Sequence, residues 1–141
     1  MKQYALGFVF NANQTEVLLI RKLKPEWQKN KLNGIGGKQE EGESPHFAMM
    51  REFKEEAGVV IPIWEHCITL TAKDEKWRVF IWRAFMATGI ENVKPQTEEL
   101  IYGVKTNRIP RDVIPNLRWI IPMLMDNLKF PIKIIDKGYG E

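Results

Sequence analysis

One cysteine, Cys67, stands alone among 141 residues, so the chain can form no internal disulfide and suits a reducing compartment. It lies in the strand-like run 65–70 and reads as a buried thiol, not a nucleophile. Long apolar runs are missing: the first hydrophobic stretch is broken by Gly7 and is too short for a signal peptide or a membrane span. A cytoplasmic protein with no membrane partner is therefore expected. Charge of one sign is scarce as well. A net charge of +3 and a pI near 9.0 suit an anionic ligand but are too diffuse for a nucleic-acid groove, so nucleic acid is not the expected partner. Repeats, linkers and low-complexity segments are lacking, and no G-K-[ST] opens a helix, which excludes a Walker-type phosphate loop.

What is present is an ordinary globular composition, 44% hydrophobic and 28% charged. At this length one domain over residues 1–141 is expected, a monomer or homodimer burying about two-thirds of its unfolded surface. Strands are read at 4–10 and 16–21, joined by the turn-forming Asn11, Ala12, Asn13 and Gln14, and again at 64–72, 77–87, 100–105 and 130–136. The strand at 77–87 is apolar on both faces, through Phe80 and Trp82 on one and Val79 and Ile81 on the other. Such a strand belongs at the centre of a sheet covered on both sides. Phe80 and Trp82 thus read as core and not as a base pocket. Pro131 places the last strand on an edge, and Lys137 onward reads as a tail. Leu117, Ile121, Leu124 and Leu128 have helical core spacing behind a cap at Asn116, while Pro122 demands either a late start near Ile120 or a kink. Strands on both sides of two helices predict an α/β sandwich around a mixed sheet.

Residues 37–59 organise the chain. Ser44 followed by Pro45 supplies a helix cap and a favoured first residue, and Gly58 supplies a stop. Glu52, Glu55 and Glu56 fall at i, i+3 and i+4 and share one face, while Phe53 and Ala57, flanked by Met49 and Met50, form an apolar back. Glu52 and Glu56 repel each other, and Arg51 is the only local counter-charge. Three carboxylates with one cation make a poor salt-bridge network and a good site for a hard divalent ion; a solvated acidic face is the plainer alternative. Just ahead runs KLNGIGGK (31–38), in which Gly34, Gly36 and Gly37 permit positive φ and close approach of backbone to a ligand. It reads as a loop that sets the helix at its angle. Among Arg21, Lys22, Lys24, Lys29 and Lys31, one or two are expected at phosphate or base, Lys22 first.

From Gly37 the residues fit G-x5-E-x7-R-E-U-x-E-E-x-G-U through Gly37, Glu43, Arg51, Glu52, Phe53, Glu55, Glu56, Gly58 and Val59. This resembles the signature of the Nudix hydrolases, with Phe53 where a smaller aliphatic is usual. The resemblance implies an α/β/α sandwich whose loop–helix–loop holds Mg²⁺, with Mn²⁺ as a substitute, and cleaves a diphosphate linked to another group. It also implies metal ligation by Glu52, Glu55, Glu56, Gly37 and a later acid, Glu98 in preference to Glu99, although a solvated loop acid is the plainer reading there. Glu55 or Glu98 would take the proton from the attacking water, and Arg51 would orient Glu55 and the loop.

Outside the signature, residues 32–38 and 114–122 are similar to the MutT branch, the nucleoside triphosphate pyrophosphohydrolases. There Asn33 and Asn116 would contact the base, against plainer readings as turn former and helix cap. Gly36, Gly37, Lys38 and Lys22 complete the implied substrate-binding set. Leu32 and Leu117 depart from oxidised-purine enzymes, which often carry Trp and an acid at those places. The region of Asp74 and Glu75 lacks the proline usual in ADP-ribose enzymes. The expected reaction is conversion of a nucleoside triphosphate, oxidised purines among the candidates, to monophosphate and pyrophosphate. Two rivals stand beside it: removal of pyrophosphate from RNA 5′ ends, supported by the cations between Arg21 and Lys31, and a silent nucleotide-binding module, which would have no need of the full carboxylate set.

Overall fold

Strand β1 (Lys2–Asn11) alternates Leu6, Phe8 and Phe10 toward one layer with Ala5 and Val9 toward the other, so it can only sit in the middle of a sheet. In the computed structural model, which describes residues 1–137, it does. Most of the expected tail, 138–141, lies outside the described residues. Beside β1 run β2 (Glu16–Arg21), β3 (Leu32–Asn33), β5 (Glu65–Ala72), β6 (Trp77–Met86) and β8 (Ile132–Asp136), in the order β3-β2-β1-β6-β5-β8. Two further strands hang on this path: β4 (Ile35–Lys38) pairs with β1, and β7 (Ile101–Lys105) pairs with β2. The pairs β1–β6 and β5–β8 are parallel and the remaining pairs antiparallel, so the sheet is mixed.

Helix α1 (Pro45–Ala57) covers one face and α2 (Leu117–Met125) the other, giving two cores. Phe53, Met49 and Ala57 pack on Val9, Ile35 and Trp82. Leu117, Ile120, Ile121 and Leu124 pack on Phe8, Leu19 and Ile81. Full burial of each such large side chain contributes about 1.5–3 kcal/mol. As expected, β6 feeds both cores, and Trp82 and Phe80 lie on the α1 side. Ser44 Oγ accepts from Phe47 N at 3.2 Å, and Gly58 closes α1 in the left-handed region at φ 76°.

Three expectations are corrected. The glycine-rich stretch is not a loop but strands β3 and β4, and none of Gly34, Gly36 and Gly37 has positive φ. Its glycines are there for closeness: a Cβ on Gly36 would lie 1.9 Å from the Ala5 carbonyl oxygen. Asn116 stands at the start of α2 without a side-chain capping bond; the first turn is closed by backbone bonds such as Leu117 N to Ile114 O at 2.9 Å. Leu128 falls beyond α2 and is 36% exposed, because the helix ends at Met125 with Pro122 inside it.

Gly36→Ala forces backbone against backbone and is expected to lower stability by at least about 3 kcal/mol in urea unfolding. Gly103→Ala, where the new Cβ would meet only ordinary contacts at 3.5 Å, should stay within about 0.5 kcal/mol of wild type.

Candidate active site

Crowding acids onto one helix face needs cations or dispersal, and the structure uses both. Arg51 forms a fork with Glu43, donating from Nε and from Nη2, the latter at 2.8 Å. The same guanidinium reaches Glu52 Oε1 at 2.9 Å, Glu55 at 3.2 Å and the Lys38 carbonyl at 3.1 Å. Arg51 therefore ties the end of β4, the turn before α1 and the helix itself into one unit. Glu55 is one of its partners, but Glu43 and Glu52 are the buried ones. The Arg51 bonds hold the Glu43 carboxyl below its ordinary range.

The three signature acids do not point at one spot. Glu52 is 8% exposed and lies against Gly37, where a Cβ would come within 2.5 Å of its Oε2. Glu55 is exposed, and Glu56, half-buried, accepts from Thr97 Oγ1 at 3.3 Å. Among the described residues no group of three or more His, Cys, Asp or Glu is gathered closely enough to hold a metal ion as it stands. Glu52 and Glu55 share the Arg51 guanidinium, while Glu56 turns to the Thr97 hydroxyl. Burial raises the Glu52 and Glu56 carboxyls above their ordinary range, and neighbouring acids add to it.

Of the two later acids, Glu99 is the one turned inward. Glu98 is exposed, whereas Glu99 is 7% exposed and takes the Leu23 N–H at 2.6 Å and Lys22 Nζ at 3.2 Å. Its charge acts on Glu56. Burial pushes Glu99 upward, but the Leu23 N–H and the Lys22 ammonium outweigh this and hold it below the ordinary range. Residue-by-residue reading could not separate the neighbours, since the choice depends on which one meets β2.

A cleft of about 540 Å³ opens on the α2 side of the sheet. Lys22, Asn33, Gly36, Gly37, Lys38 and Asn116, all expected to bind substrate, line it together. Leu6, Leu70, Val79 and Ile120 supply apolar wall. Asn33 donates to Gln28 Oε1 at 3.0 Å and accepts from Gly34 N. The Asn116 amide is oriented by Trp119 Nε1, which donates to its Oδ1 at 3.1 Å, and its Nδ2 donates to Asp136 at 3.3 Å. Asp136 and Trp27 also line the cleft and were not foreseen in that role; only the return of β8 beside β5 brings Asp136 there. The basic patch is partly spent: Arg21 pairs with Asp112 and Lys22 with Glu99. Among the described residues no helix is long and apolar enough to cross a membrane.

Comparison with known proteins agrees with this architecture. The family model described as the NUDIX domain matches residues 1–119. Over 57 residues the chain is 40% identical to 8-oxo-dGTP diphosphatase of Escherichia coli (strain K12), a match taking in 40% of this chain and 43% of that protein. The chain thus spans less than half the length of this curated relative. Among solved structures, a MutT NUDIX hydrolase from Burkholderia pseudomallei superimposes with a TM-score of 0.74 at 15% identity, covering 87% of this chain and 97% of its own. The NUDIX domain of Shewanella oneidensis NrtR, solved with ADP ribose, gives 0.70 at 16% identity, with 87% and 85% covered. At these identities the structural likeness is one of fold.

Two outcomes follow for the metal-free protein. Arg51→Met strands the Glu43 and Glu52 carboxylates and should destabilise the fold by about 3 kcal/mol in urea. Ionised Glu56 is less favourable in the fold than in the unfolded chain, so it weakens the fold as pH rises through and above the ordinary carboxylate range. Glu56→Gln should therefore raise the melting temperature at pH 7, with the gain vanishing at acid pH, where the glutamate is neutral in both states.

Proposed function

The chain belongs to the Nudix hydrolase family, and from that membership we propose that it hydrolyses a nucleoside triphosphate to the monophosphate and pyrophosphate with the help of Mg²⁺. The observation that carries this reading is Gly37, which lines the cleft and is also the backbone against which the Glu52 carboxylate packs. Anion-binding backbone and acidic helix meet there. The cleft itself has cations, Lys22 and Lys38, and the oriented amides of Asn33 and Asn116, together with apolar wall wide enough for a base. An amide that both donates and accepts suits a purine edge.

The donor set fits a hard divalent ion: all-oxygen ligands, two carboxylates raised by burial and like charge, and a side-chain-free seat at Gly37. Glu52, Glu55, Glu56 and the Gly37 backbone would hold it, with Glu99 in the place expected for Glu98. When bound, Mg²⁺ neutralises polyphosphate charge and acidifies a coordinated water. The chain's own residues do the rest. Lys38 and the β4 backbone bind phosphate oxygens, Arg51 keeps α1 and β4 in register, and Glu99 or Glu55 accepts the proton as water attacks phosphorus and the P–O bond to the leaving group breaks. The likeness to 8-oxo-dGTP diphosphatase makes oxidised guanine nucleotides the first candidates. The RNA 5′-end reading is weaker, because Arg21 of its supporting patch is already paired with Asp112.

Pyrophosphate release should be seen with one or more normal or oxidised nucleoside triphosphates, cease in EDTA and return with Mg²⁺. Glu56→Gln and Glu99→Gln should each lower kcat by about 10²–10³ while far-UV circular dichroism stays native. Wild-type turnover in Glu56→Gln would refute the assignment.

A further inference from the structure

Glu52 lies against the side-chain-free backbone of Gly37 and Glu99 acts electrostatically on Glu56, and two cations answer the acids of this region, Glu43, Glu52, Glu55, Glu56 and Glu99. Arg51 serves Glu43, Glu52 and Glu55. Lys22 serves the other two: its Nζ lies 3.2 Å from Glu99 Oε1, and its charge also acts on Glu56. The Lys22–Glu99 pair is well covered, with side chains 17% and 9% exposed.

Yet Lys22 is not what positions Glu99. The Leu23 N–H holds the second oxygen at 2.6 Å, and the Glu99 N–H is fixed by Thr97 Oγ1 at 3.1 Å. The Lys22 backbone is fixed as well, its N–H bonded to Lys31 O and its carbonyl to Asn30 N–H, both at 2.8 Å. Only its side chain has freedom to leave, and it already borders the cleft beside Gly36, Gly37 and Lys38. An ammonium on a flexible four-carbon stem is suited to exchange partners without backbone movement.

We infer that Lys22 is a resident counter-cation, occupying Glu99 while no divalent ion is bound and turning toward the substrate's phosphates when an ion takes that carboxylate. This rests on the metal-dependent reading above. Binding of the ion and release of Lys22 are then one exchange: the ammonium screens Glu99 while no ion is bound, and the anion-binding lysine is freed only once a metal has arrived.

The exchange makes a prediction opposite in sign to that of a merely structural ion pair. Removing the ammonium removes a competitor, so the nucleotide-free Lys22→Met protein should bind Mn²⁺ alone at least about tenfold more tightly than wild type, followed by electron paramagnetic resonance. Lys22→Arg, which keeps the charge, should stay within about threefold of wild type. In the same Lys22→Met protein KM for a hydrolysed nucleotide should rise while metal affinity improves. Mn²⁺ binding to Lys22→Met that is unchanged or weaker overturns the inference, as does equal tightening in Lys22→Arg. A wild-type chain that binds Mn²⁺ but releases no pyrophosphate from any nucleotide counts against the proposed function only, and the Mn²⁺ comparison still decides this inference. Wild-type protein that binds no Mn²⁺ sinks both.

Discussion

The Arg51 fork is the constraint on which the rest depends. A helix carrying acids at 52, 55 and 56 beside Glu43 holds those charges together through a cation with several fixed donors standing among them. Arginine can satisfy three carboxylates and the Lys38 carbonyl at once, because its donors diverge from a rigid plane. A lysine at 51 would supply the charge but not the span. Through this residue the end of β4 and the start of α1 hold a common position, and the chemistry of the site inherits that position.

A second constraint is closeness. Strand β4 can run against β1 only because Gly36 leaves room for the Ala5 carbonyl, and Glu52 can lie on β4 only because Gly37 has no side chain. The apolar grip of Phe53, Met49 and Ala57 presses α1 down onto this surface. Burial of Glu52 is the consequence. Hydrophobic packing on one side of the helix thus supplies the energy that desolvates a carboxylate on its margin, and desolvation raises its affinity for a proton or a metal alike.

The same arrangement weakens the metal-free fold. Glu52 and Glu56 are both held in surroundings that disfavour their ionised forms, while Glu43 and Glu99 are held in surroundings that favour theirs. The site is therefore divided between acids that stabilise the fold near neutral pH and acids that oppose it. The opposing acids, Glu52 and Glu56, both lie on the acidic face of α1.

Much of this was legible in the chain itself. The cap at Ser44, the stop at Gly58, the shared face of the glutamates and the two-faced apolar pattern of β6 are local properties, written within one or two helical turns or one strand, and each stands where the residues imply. Assembly of Asn33, Gly37, Lys38 and Asn116 around one cleft was implied by family resemblance and not by spacing. Other features could not be read locally. Whether 31–38 is loop or strand depends on its pairing with β1 and β2; whether Glu98 or Glu99 turns inward depends on a backbone N–H at Leu23, some 76 residues away. Asp136 reaches the cleft only because β8 pairs in parallel with β5. Local sequence determined which groups are acidic, capped or apolar, because those are properties of single residues and short periodicities. Tertiary structure alone decided which acids lose water and which donors they meet, because desolvation and hydrogen bonding are set by neighbours that the chain brings from far away.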